Sequence, residues 1–134
     1  MKFYIASGLQ NKENVKYVAA QLKACGFTHT YDWTVNNRAE SYEELKKVGE
    51  AERTGVLNAD FLIALLPGGK GTHVELGMAL AQNKRVYLYS PNEDINNLTI
   101  TSTFYFLEEV RPFIGHISDF INLVIKQETE LIVH

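Results

Sequence analysis

The chain has one cysteine, three prolines and no excess of positive charge among its 134 residues. Cys25, being alone, excludes an internal disulfide and fits a reducing compartment, where a solitary thiol usually serves as a small buried apolar group. Prolines stand only at 67, 91 and 112, and no linker, repeat or low-complexity tract interrupts the sequence, so one domain over 1–134 is expected. A net charge of −3 gives no basic field for holding a nucleic-acid polymer by its phosphates. No apolar run approaches the roughly 20 residues needed to span a bilayer. The opening MKFYIASGLQNKEN turns polar too early for a signal-peptide core. A cytoplasmic protein without a membrane contact is therefore expected. Histidines at 29, 73, 116 and 134 lack metal-ligand spacing, and neither a metal nor a redox cofactor is called for.

What is present alternates between two periods. Residues 2–7, 27–33, 60–67 and 85–90 read as strands, and 103–106 as a short last one. Helices are expected over 12–26, 41–59 and 72–83, with a final one begun by Pro112. Residues 91–102 read as loop. The run DFLIALLP is apolar throughout, as in a strand covered on both faces. Repeated β-α units imply an α/β, flavodoxin- or Rossmann-like three-layer fold around a five-stranded, mainly parallel sheet. Ligands in such folds bind beyond the carboxyl ends of strands, which singles out ASGLQN after the first strand and PGGKGT after the third.

The second of these loops carries the strongest chemical signal. Gly68, Gly69 and Gly71 can take positive φ and turn their N–H groups on an anion, with Lys70 adding charge and Thr72 a hydroxyl. The loop is neither a triphosphate P-loop, since Gly71 separates Lys70 from Thr72, nor a dinucleotide fingerprint. A monophosphate or a sugar hydroxyl suits it better, and an ordinary strand-to-helix turn is the bland alternative. Ser7 and Gly8, after the first strand, would close the other side.

Glu75 follows directly. Thr72 and Glu75 have capping-box spacing, a purely structural use for the carboxylate, as do Ser41 and Glu44. Placed beside an anion loop, Glu75 could instead act as a nucleophile or electrostatic stabiliser, kept ionised by the helix terminus. Glycosidic chemistry asks for a second carboxyl with opposite tuning. Glu52 interrupts the apolar stripe Leu45, Val48, Val56, so it either faces the sheet with a raised pKa or lies at the edge of a solvated face. Tyr4 could reach the cleft or pack in the core. Trp33, the only tryptophan, could stack on a base or act as a partly buried anchor.

KFYIASGL, ERTGVLNADFLIALL and GTHVELGMALAQNKRVYLY, in this order from residue 2 to about 90, resemble the nucleoside 2-deoxyribosyltransferase family. The resemblance implies a flavodoxin-like fold and cleavage of the N-glycosidic bond of deoxynucleosides. It puts the nucleophile at Glu75, the assisting acid at Glu52, eight positions before Asp60, and the tyrosine contacting the nucleophile at Tyr4. It also implies a homodimer or higher homo-oligomer whose subunits complete each other's sites, which the apolar ending ELIVH fits weakly.

Transferases of the family carry an aspartate six residues before the nucleophile, where this chain has Gly69, and usually Asp where it has Glu52. These departures point to the related 2'-deoxynucleoside 5'-phosphate N-hydrolases. PGGKGTHVE is also similar to the Pro-Gly-Gly-x-Gly-Thr-x-x-Glu motif of the lonely-guy phosphoribohydrolases, though only over nine residues. The expected function is cleavage of a (deoxy)nucleoside 5'-monophosphate, a small-molecule substrate. Base exchange, a non-catalytic nucleotide sensor and hydrolysis of NAD stand as alternatives.

Overall fold

The computed structural model describes residues 1–133; His134 lies outside the described residues. Five strands, β1 (Lys2–Ser7), β2 (Thr28–His29), β3 (Phe61–Leu65), β4 (Arg85–Ser90) and β5 (Val110–Ile114), form one sheet in the order β2-β1-β3-β4-β5. Every pairing is parallel. Helices α1 (Lys12–Ala24) and α4 (Ile117–Val133) cover one face, and α2 (Tyr42–Asn58) and α3 (Lys70–Ala81) the other. All five residues of β3 are buried, as a central strand between two helical layers requires.

Side-chain alternation divides the core. Phe3 stacks near Phe61, whose edge meets Tyr87 beneath α1 and α4. Tyr4, one residue on, projects to the opposite layer, beneath α2 and α3. On the first of these faces Glu128 of α4 is fully buried. Arg85 grips it with Nε and Nη2 at 2.9 and 2.7 Å, and the Tyr87 hydroxyl donates to it at 2.5 Å. A buried carboxylate persists only when paired in this way. This cluster fixes α4 and lies across the sheet from the cleft described below.

Four expectations are corrected. Residues 103–106 form a 3₁₀ turn, and the fifth strand is Val110–Ile114, a stretch with Pro112 that reads as a helix start. Proline is tolerated there because β5 is an edge strand. The second strand is limited to Thr28–His29, and Trp33 begins a 3₁₀ turn, Trp33–Val35, capped by the Asp32 side chain. Helix α3 starts at Lys70, not 72. Cys25, just past α1, is exposed rather than packed as an apolar group. No described helix is long and apolar enough to cross a membrane.

Candidate active site

Strand order reverses between β1 and β3, so the chain leaves these neighbours for helices on opposite faces and opens a crevice at their carboxyl ends. A cleft of about 770 Å³ occupies that crevice. Ser7 and Gly8 form one side, Gly69–Thr72 another, and α2 contributes Leu45, Val48 and Glu52. Leu45 and Val48 therefore overhang the cleft instead of packing on the sheet, and Glu52, half-buried, faces into it with them.

At the floor, Tyr4 of β1, Glu52 of α2 and Glu75 of α3 meet. The Tyr4 hydroxyl lies 2.7 Å from a Glu75 carboxylate oxygen and 3.4 Å from one of Glu52, so its single proton is given chiefly to Glu75. Glu75 is only 6% exposed. That burial, reinforced by Glu52 as hydrogen-bond partner and like charge, and opposed by donation from Tyr4, pushes the Glu75 carboxyl up to about 8. The same burial and the two neighbouring carboxylates hold the Tyr4 phenol far above its ordinary value, so it stays a donor. Burial thus works against the ionised Glu75 that a helix terminus alone would favour. Glu75 lies past the first turn of α3, where desolvation outweighs the terminal dipole. The pair can hold one proton between two carboxyls at neutral pH.

The glycine loop is built differently from expectation. None of Gly68, Gly69 and Gly71 has positive φ. Gly68 is needed for space: a Cβ there would stand 2.5 Å from the Thr72 methyl. Gly68 faces away from the main cleft, beside Pro67 and Ser90. Thr72 makes no capping box with Glu75; it is the third residue of α3, and its hydroxyl accepts the Gly69 N–H at 3.0 Å. With the Gly69 N–H so engaged, the N–H groups of the first helical turn are the ones left facing outward. Lys70, at this terminus, makes no ion pair among the described residues.

With this geometry in view, the comparisons decide the family. The sequence matches the family described as Nucleoside 2-deoxyribosyltransferase over residues 3–123. The chain belongs to this family. It is accordingly an enzyme of the N-glycosidic bond. Among solved structures, it is similar to the CMP N-glycosidase BcmB of Clostridium botulinum, with a TM-score of 0.63 and 16% identity over 92% of this chain and 98% of that one. At this identity the likeness establishes the shared fold. A conserved protein from Enterococcus faecalis V583 aligns with a TM-score of 0.49 and 21% identity, covering 92% of this chain and 87% of that one. No curated protein matches.

Within this nucleoside 2-deoxyribosyltransferase scaffold, other predicted residues have plain structural duties. The Ser7 hydroxyl donates to the Leu65 carbonyl at 2.8 Å, joining the ends of β1 and β3. Trp33 lines the cleft but is mostly buried, and its indole N–H donates to the Ile5 carbonyl at 2.7 Å, as an anchor does. Three contributors escape the sequence reading. Arg38 lines the cleft and, like Lys70, has no carboxylate partner among the described residues. Asn11 donates to the Pro67 carbonyl at 3.1 Å, tying the start of α1 to the glycine loop. Gly55 lets α2 approach β1: a Cβ there would lie 2.8 Å from the Tyr31 Cβ and 3.0 Å from the Tyr4 ring. Gly55 was the legible one of the three, since an interior helix glycine costs about 1 kcal/mol and asks for a reason.

Proposed function

We propose that the chain cleaves the N-glycosidic bond of a (deoxy)nucleoside 5'-monophosphate by hydrolysis, with Glu75 as nucleophile. The observation that carries this reading is the convergence of Glu52 and Glu75 on the Tyr4 hydroxyl, at the floor of a cleft whose rim holds the α3 terminus, Lys70 and Arg38. Two cations without a carboxylate partner among the described residues, together with outward N–H groups, suit a phosphate. A carboxyl pair suits a glycosidic carbon. Gly69, where the family's transferases carry a base-recognising aspartate, favours water as acceptor. BcmB, named a CMP N-glycosidase, is a precedent for monophosphate chemistry on this fold.

The steps balance as follows. The singly protonated pair is the working form; positive charge developing at the seated anomeric carbon favours the carboxylate on Glu75, so the proton passes across the pair to Glu52. A Glu75 oxygen bonds to the anomeric carbon as the carbon–nitrogen bond breaks. The bonding pair leaves with the base, which takes the Glu52 proton. Glu52, now a carboxylate, accepts a proton from water, whose oxygen attacks the same carbon and breaks the sugar–Glu75 ester. Glu75 leaves as a carboxylate and the pair again holds one proton. Tyr4 donates to Glu75 throughout and limits its basicity.

The test is a panel of nucleosides, deoxynucleosides and their 5'-monophosphates, each with and without a second free base, followed by chromatography beside Glu75→Ala. Base released from monophosphates, and lost in the variant, supports the reading. A new nucleoside formed only with added base would make the chain a transferase despite Gly69. If neither product forms, Glu75 is a structural carboxyl, and nucleotide sensing or NAD hydrolysis takes precedence.

A further inference from the structure

His73 sits two residues before Glu75, yet its ring turns away from the carboxyl pair. Its Nδ1 lies 2.8 Å from the Gly69 carbonyl oxygen, and its Nε2 lies 2.6 Å from the Tyr105 hydroxyl. A carbonyl can only accept, so Nδ1 carries the proton and donates. In the neutral ring Nε2 is then an acceptor, and the Tyr105 hydroxyl is its donor. Tyr105 is buried, and the two rings lie 5.8 Å apart, so the imidazole is held from the side opposite the loop.

The bond falls on the peptide that matters most for an anion. Gly69 is the N-cap of α3, and its carbonyl already accepts the His73 backbone N–H at 3.3 Å. In a planar trans peptide the carbonyl of Gly69 and the N–H of Lys70 point in opposite directions. Fixing the carbonyl along the helix therefore aims the Lys70 N–H outward, past the terminus and toward the rim of the cleft. The Gly69 N–H on the other side is fixed by Thr72. Side chains thus hold both peptide units flanking Gly69.

We infer that Tyr105 and His73 form a positioning relay that presets the Gly69–Lys70 peptide for the substrate's phosphate. The inference rests on the monophosphate reading above. It makes the 3₁₀ turn Thr103–Phe106, which touches no part of the main cleft, a determinant of phosphate affinity. Neither residue contacts substrate; both act through the loop.

The experiment compares wild type with Tyr105→Phe, His73→Ala and His73→Asn, the last able to keep a donor near the Nδ1 position. Two readouts are taken: binding of inorganic phosphate by calorimetry, and kcat/KM for a nucleoside 5'-monophosphate against its unphosphorylated nucleoside. Tyr105→Phe should weaken phosphate binding about three- to tenfold and raise KM for the monophosphate in proportion, leaving kcat and the nucleoside reaction unchanged. His73→Ala should lose more, and His73→Asn should recover part of that loss. Equal losses on both substrates, or variants that bind phosphate as wild type does, would overturn the relay. If wild type itself binds no phosphate, the monophosphate reading fails and the relay with it. If wild type binds phosphate but cleaves nothing, the binding series alone decides the relay.

Discussion

The Tyr4 hydroxyl donates to Glu75 at 2.7 Å while standing 3.4 Å from Glu52, so one phenol links two carboxyls borne by different helices. Strand β1 supplies the phenol from the sheet, and α2 and α3 lay the carboxyls over it from above. Three distant segments are thereby fixed at one point, where burial and the neighbouring carboxyl strengthen the hold of Glu75 on a proton.

That proton makes the pH profile diagnostic. Glu75 is raised to about 8, so the couple keeps its last proton up to that pH and loses it above. The profile of kcat/KM, which reports the free enzyme, should be level near neutrality and fall above about 8. Tyr4→Phe removes a donor to ionised Glu75, so the fall should move to higher pH, with kcat about 10–100-fold lower for the loss of one charge-assisted bond. Glu52→Gln removes the second carboxyl. Its residual activity should rise with pH instead, as Glu75 alone ionises. Stopped-flow or discontinuous rates between pH 5 and 10 would check both; unchanged profiles would contradict the shared proton.

The same burial has a stability consequence. A carboxyl whose folded pKa is raised binds more protons folded than unfolded between its ordinary value and about 8, so its contribution to stability falls as pH rises through that window. Glu75→Gln escapes the penalty. Thermal unfolding should find it more stable than wild type at pH 9, by on the order of 2–4 kcal/mol, and equal to wild type near pH 4. A variant no more stable at pH 9 would show that the ionised carboxylate is well solvated.

Gly55→Ala tests whether α2 is held at the correct height. The added methyl would meet the Tyr31 Cβ, fixed close to the backbone, at 2.8 Å and the buried Tyr4 ring at 3.0 Å. The expected cost is about 1–3 kcal/mol of stability. Activity should fall more than tenfold because Glu52, one turn earlier, is lifted from Tyr4. Denaturant unfolding beside kcat measurements separates the two effects. A stable variant with full activity would remove Gly55 from the account.

Gly69→Asp addresses the acceptor and the phosphate together. A Cβ at Gly69 meets nothing within 4 Å, so the aspartate fits without strain. Its charge at the α3 terminus should oppose a bound phosphate, lowering kcat/KM for monophosphates about tenfold or more while sparing unphosphorylated nucleosides. A parallel loss on both substrates would indicate that the phosphate sits elsewhere.

Much of this arrangement is legible in the sequence, for identifiable reasons. The buried run of β3 and the alternation of strands with helices follow from hydrophobic pattern, and they fix the crevice. The fifth strand is not legible, because Pro112 carries the signal of a helix start and β5 is an edge where proline is permitted. The carboxyl pair is found through spacing and family motif, but its proton balance is not. Helix-terminus reasoning ionises Glu75, whereas only the packed structure reveals how dry it is. The glycine loop signals flexibility, yet its glycines serve close packing on Thr72 and open space. Tyr105 and Arg38 lie in segments with no readable motif.

The covalent step at Glu75 is the heart of the proposed reaction. Its most direct test is rapid mixing of the enzyme with a cleavable 5'-monophosphate, acid quench within the first turnover, and mass mapping of the peptide containing Glu75. The account predicts a transient increment equal to the sugar phosphate on Glu75, absent in Glu75→Gln. Full turnover without that adduct, together with an active Glu75→Gln, would contradict it.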